Sequence, residues 1–225
     1  MKDINPSRSF PLMTISIIAV NIVVFLYEAS LGEGVRAFVF TYGAVPIEIT
    51  SGVRIAHKSF PPALNLITSQ FLHGGLFHII GNMWFLWIFG DNVEDAMGKL
   101  RFLVFYLICG VAAALTHIAF TPHSQIPLVG ASGAIAGVLG SYFLLYPRAR
   151  VLTFVFFFPF IFDIVALPAV IYLGMWFLLQ VLYAPAGGAV AWFAHIGGFI
   201  CGLVLTPLFV RRGARRLARV RRVRW

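Results

Sequence analysis

Ser132 lies in Gly130-Ala131-Ser132-Gly133 and His195 in Ala194-His195-Ile196-Gly197-Gly198, each near the start of a long apolar segment. A hydroxyl and an imidazole are unfavourable in such surroundings, so polar groups at membrane depth are functional candidates by default. A serine whose proton an imidazole can accept is an activated nucleophile, the minimum arrangement for covalent catalysis of acyl transfer. His78 and Asn82 are four residues apart in a third apolar segment, which places them on one helix face. Whether these groups can act together depends on the elements that carry them.

Those elements are membrane helices. The chain has 225 residues, 60% hydrophobic and only 11% charged, with a mean hydropathy of +0.90. Soluble domains carry roughly 25% charged residues, so this composition describes an integral membrane protein. A span needs about 20 mostly apolar residues. The candidates are six: Leu12 to Leu31, Leu76 to Met97, Phe102 to Thr121, Ser132 to Tyr146, Val165 to Ala184 and Val190 to Val210. The fourth is short. The expected fold is an all-α six-helix bundle over residues 12–210, with a short cytoplasmic N-terminus (1–11) and a basic cytoplasmic tail (211–225). The first apolar run lacks a small-residue cleavage site after it and reads as a retained helix. Val151 to Phe162 is also apolar, but Pro159 interrupts it, and it reads as an interfacial connector.

Basic residues orient the bundle. With six spans, 14 of the 17 Lys and Arg fall on the side of both termini, and only Arg36, Arg54 and Lys58 fall opposite. The positive-inside rule makes the richer face cytoplasmic, consistent with a cell (inner) membrane. A seventh span would break this asymmetry. The arginine-rich tail then reads as a contact for anionic lipid headgroups, not for nucleic acid, because no folded soluble module presents it. On the opposite face lies one long connection, Gly32 to about Leu72, rich in aromatic residues and proline; such a loop is expected to be functional or to have structure of its own.

On this topology Ser132, His195, His78 and Asn82 all fall in the outer third of the bilayer, on three helices. Gly133 and Gly137 on the fourth helix, and Gly198 and Gly202 on the sixth, are small-xxx-small pairs that let backbones approach closely. The short fourth helix would begin below the outer surface and leave room for a water-filled cavity above Ser132. Less specific readings apply elsewhere. Cys109 and Cys201 read as buried apolar residues, His73 and His117 as structural, and His57 and His123 as solvated loop residues. Asp91, Glu94 and Asp95 are expected to pair with Lys99 and Arg101 in a cytoplasmic loop. No cofactor or metal is expected: the chain has no His-Glu-x-x-His, and none of its acidic residues accompanies His73, His78 and His195. A transporter would place its polar groups at a midplane site of broken helices instead.

The residues resemble the rhomboid family of intramembrane serine proteases. The resemblance rests on His73, His78 and Asn82 in Phe71-Leu72-His73-Gly74-Gly75-Leu76-Phe77-His78-Ile79-Ile80-Gly81-Asn82, on Gly130-Ala131-Ser132-Gly133, and on Ala194-His195-Ile196-Gly197-Gly198. It implies Ser132 as nucleophile, His195 as general base, and His78 and Asn82 as oxyanion donors, in a dyad without an acidic third member. It also implies transmembrane-helix proteins as substrates and the fifth helix as a lateral door. The alternative is an inactive rhomboid-like protein that binds transmembrane helices. Two positions depart from the family pattern. Leu64-Asn65 stands where many members carry Trp-Arg, and Ala136 stands where some carry a tyrosine stacked on the histidine, so His195 must be held another way.

Overall fold

The computed structural model describes residues 2–53, 55, 60–157, 161–186, 188 and 190–211. The elements, in chain order, are β1 (Lys2–Asp3), α1 (Leu12–Ser30), α2 (Val35–Tyr42), α3 (Pro46–Ser51), α4 (Asn65–Thr68), α5 (Leu76–Met97), α6 (Lys99–Phe120), α7 (Ser132–Leu145), β2 (Arg150–Phe157), β3 (Ile161–Pro168), α8 (Ala169–Tyr183) and α9 (Trp192–Phe209). The basic tail beyond Arg211, His57 and Pro159 lie outside the described residues.

Among the described residues, four helices are long and apolar enough to cross a membrane: α1, α6, α8 with its following turn, and α9. Residues 62–71 and α5 meet that test together, bent by 80° at their junction. The protein is therefore a multi-pass membrane protein. At its centre stands α7, 14 residues and about 21 Å long. Every residue from Gly133 to Tyr142 is buried, so α7 is surrounded by protein. A helix shorter than the roughly 30 Å hydrocarbon layer is tolerated there because its ends meet protein.

Three expectations are corrected. The bundle is not purely helical: β2 and β3 form an antiparallel hairpin, with β1 added along the outer side of β2 through Lys2↔Leu152 and Asp3↔Val151. In the segment read as an apolar connector, residues 151–157 and 161–162 are thus strand, in keeping with their Val, Phe, Thr and Ile content. Val165 to Pro168 belong to β3, which moves the start of the fifth apolar helix to Ala169. Asp91, Glu94 and Asp95 also do not form a charged loop, because α5 continues through them to Met97. Glu94, 1% exposed, accepts hydrogen bonds from the backbone N–H groups of Met13 and Thr14 and from Thr14 Oγ1. The carboxyl group meets the unpaired N–H groups of the first turn of α1, where an anion is favoured.

The connection from Gly32 to Leu72 has structure of its own, as its length suggested. Asn65 is fully buried and donates from Nδ2 to the carbonyls of Gly43 (2.7 Å) and Thr41 (3.3 Å), tying α4 to the end of α2. The connection also holds the segment that leads into α7. Ala44 and Leu128 exchange backbone hydrogen bonds, Ile47 N–H donates to Ser124, and Gly130 N–H donates to Ser69.

Candidate active site

Ser132 is the first residue of α7 and His195 the fourth of α9. Their helices meet along the two glycine pairs. A Cβ at Gly198 would overlap the Gly133 carbonyl oxygen, and one at Gly202 would overlap that of Gly137. On the next turn of α7, a Cβ at Gly140 would strike the Phe199 carbonyl. Only glycine permits so close an approach, and a serine side chain is short enough to need it. The result is a hydrogen bond of 2.9 Å between Ser132 Oγ and His195 Nε2.

His78 stands on the other side of Ser132. Gly130 has φ +123°, and a Cβ there would sit 2.8 Å from His78 Nε2 and 3.7 Å from Ser132 Oγ. Glycine is thus needed both for the backbone and for the space between these groups. His78 Nδ1 accepts a long hydrogen bond (3.4 Å) from the Gly74 N–H. In the neutral ring the proton then belongs to Nε2, beside Gly130, as a donor. His73 packs edge-on against His78 at 5.1 Å. Asn82 lies one turn further along α5 and is 8% exposed. Its Nδ2 has no hydrogen-bond partner among the described residues, and no hydrogen bond joins it to Ser132.

Ser132, Gly133, Gly130, Ser69 and Gln70 border a small cavity of about 10 Å³, lined also by residues of α6 and α9. That is close to the space one water molecule requires. A nucleophile bonded to an imidazole, a facing N–H donor and room for a small polar molecule together suit addition to a carbonyl. The described residues include no group of three or more His, Cys, Asp or Glu placed to hold a metal ion.

One residue of the site was not found from the sequence. Gln180 of α8, 5% exposed, places Oε1 2.7 Å from His195 Nδ1 and donates from Nε2 to the Trp176 carbonyl at 2.9 Å. The Trp176 ring lies 5.8 Å from the imidazole at 35°, and Trp192 meets it edge-on at 6.4 Å. Aromatic support for His195 therefore comes from α8 and α9, where Ala136 of α7 has none to give. The signal that could have exposed Gln180 was a lone amide in a run otherwise apolar from Ala169 to Tyr183.

A family model described as the rhomboid domain matches residues 62–212. The chain is 32% identical over 152 residues to Rhomboid protein 1, mitochondrial, of Saccharomyces cerevisiae, covering 63% of this chain and 40% of that protein. It is 42% identical over 81 residues to Rhomboid protease GluP of Bacillus subtilis, 36% of this chain and 15% of that protein. To Presenilin-associated rhomboid-like protein A, mitochondrial, of Danio rerio it is 29% identical over 148 residues, 62% of this chain and 36% of that protein. The chain thus spans less than half the length of these relatives. The matched region runs from α4 through α9 and contains Ser132, His195, His78, Asn82 and Gln180, and by that match the chain belongs to the rhomboid family.

Proposed function

We propose that this chain is an intramembrane serine endopeptidase that hydrolyses peptide bonds in or near the transmembrane helices of other membrane proteins. The observation that carries the reading is the 2.9 Å bond between Ser132 Oγ and His195 Nε2 inside an apolar bundle. Ser132 attacks the scissile carbonyl while His195 takes its proton and later returns it to the leaving amine. His78 and Asn82 supply side-chain donors to the oxyanion, where negative charge develops. A peptide bond within a helix is shielded, so favoured substrates are single-span proteins with small or helix-weakening residues near the outer face.

The proposed topology has six crossings: α1, the bent pair ending in α5, then α6, α7, α8 and α9. Both termini then lie on the cytoplasmic side of a cell (inner) membrane, and the basic tail meets anionic headgroups. Purified protein reconstituted with a model transmembrane substrate tests the activity, and a fluorophosphonate or isocoumarin probe tests Ser132 directly. Ser132→Ala and His195→Ala are expected to abolish cleavage and labelling. Cleavage that survives both substitutions would remove the dyad. A wild-type chain that neither cleaves nor labels would instead be a helix-binding relative.

A further inference from the structure

We propose that Gln180 is the positioning residue of the site: its amide holds the proton on Nδ1 of His195 and so leaves the Nε2 lone pair facing Ser132. The inference rests on the proposed Ser132–His195 chemistry and names what makes His195 competent for it.

The argument follows from which atoms can donate. A glutamine amide can usually be turned either way, and a histidine ring can carry its proton on either nitrogen. Here the Trp176 carbonyl, an acceptor only, takes a hydrogen bond from Gln180 Nε2 at 2.9 Å. That bond fixes the amide with Oε1 toward the imidazole. Oε1 accepts and cannot donate, so the 2.7 Å contact requires the proton on His195 Nδ1. A neutral ring protonated at Nδ1 has its lone pair on Nε2, where Ser132 Oγ stands at 2.9 Å. Ser132 is then the donor in that bond, as a nucleophile about to lose its proton must be. When Oγ bonds to the substrate carbonyl carbon, its proton passes to Nε2 and the carbonyl π electrons pass to the oxyanion. The imidazolium so formed keeps its Nδ1–H bond to Oε1, strengthened by the charge.

Gln180 thus takes the place on the ring that a carboxylate holds in a three-member site, without bringing a second buried charge into an apolar bundle. Trp176 serves twice. Its carbonyl orients the amide, and its ring lies against the imidazole, where an aromatic face favours the transient cation. Both functions reside on α8.

The test uses the whole 225-residue chain in proteoliposomes. Ring-15N-labelled histidine spectra at alkaline pH, assigned to His195 against the His195→Ala spectrum, are expected to show Nδ1 protonated and Nε2 unprotonated in the wild type. Gln180→Leu should mix the two tautomers. It should also lower kcat and the rate of fluorophosphonate labelling of Ser132 by about 10- to 100-fold, with KM changed less than about twofold. A wild-type ring protonated at Nε2 overturns the proposal without any variant. So does a Gln180→Leu protein that keeps one tautomer and labels at the wild-type rate. Either result leaves the endopeptidase reading standing if Ser132→Ala still abolishes labelling, whereas absence of labelling in the wild type removes that reading and not the tautomer assignment.

Discussion

At the scale of single residues the site combines partnered and unpartnered polar groups, and the two kinds do different work. Ser132 and His195 are bonded to each other, and His195 is bonded again to Gln180. Asn82 has a donor with nothing to donate to among the described residues. A group unpaired in the resting protein can strengthen its interactions only when an acceptor forms, which is the condition for lowering a barrier without tightening substrate binding. Asn82→Ala should therefore reduce kcat by about 10²–10³-fold and change KM little, as for removal of one oxyanion donor. Steady-state kinetics on a reconstituted transmembrane substrate measures this, and an unchanged kcat would take Asn82 out of the oxyanion role.

At the scale of elements the decisive contact is between α7 and α9. Gly133 and Gly137 lie against Gly198 and Gly202 so closely that carbonyl oxygens occupy the space of missing side chains. The Ser132–His195 bond is a consequence of that spacing. Gly202→Val, two turns from His195 and touching no reacting atom, should push the helices apart at Gly137. Overpacking of this kind costs about 1–3 kcal/mol, so the variant should unfold several degrees lower and label with a fluorophosphonate much more slowly. Labelling at the wild-type rate would show that the dyad tolerates a wider seam. The connection from Gly32 to Leu72 acts at the same scale, since its bonds to Leu128, Ser124 and Gly130 hold the entry to α7. In it Asn65 serves as an internal tie.

At the scale of the whole molecule, the chain's beginning is fastened to its middle. Asp3 Oδ2 accepts from Tyr142 OH at 2.6 Å and from Asn92 Nδ2 at 3.0 Å, and Asn5 donates to Asn92 Oδ1 at 2.8 Å. This joins β1 to α5 and to the far end of the helix that Ser132 begins. Burial pushes the Asp3 carboxyl up to about 6, against the opposing pull of its bond from Tyr142. An unfolded aspartate titrates near 3.9. Below that pH both states hold the proton and nothing is lost. Between about 4 and 6 the unfolded chain releases it first, so this contribution to stability falls as pH rises and is lost above about 6. Thermal unfolding should show Asp3→Asn to be less sensitive than the wild type to a change from pH 5 to pH 7. Equal sensitivity in the two proteins would exclude Asp3 as the source.

The sequence by itself determined the membrane class and the apolar helices and singled out Ser132, His195, His78 and Asn82 as candidates, because composition, span length and local spacing are properties of a chain in order. It also contained the glycine pairs, since close helix approach needs small residues wherever the partner lies. Only the tertiary structure decided what could not be local. Glu94 lies 80 residues from Thr14 and satisfies the first turn of α1. β1 pairs with a strand some 150 positions later, and the Phe- and Val-rich run at 151–157, equally apolar as helix or strand, becomes strand beside it. Gln180 is 15 residues from His195, on another helix, and its meaning depends on which way its amide turns. A hydrogen bond is directional, and no sequence pattern states the direction in which a side chain will find its partner.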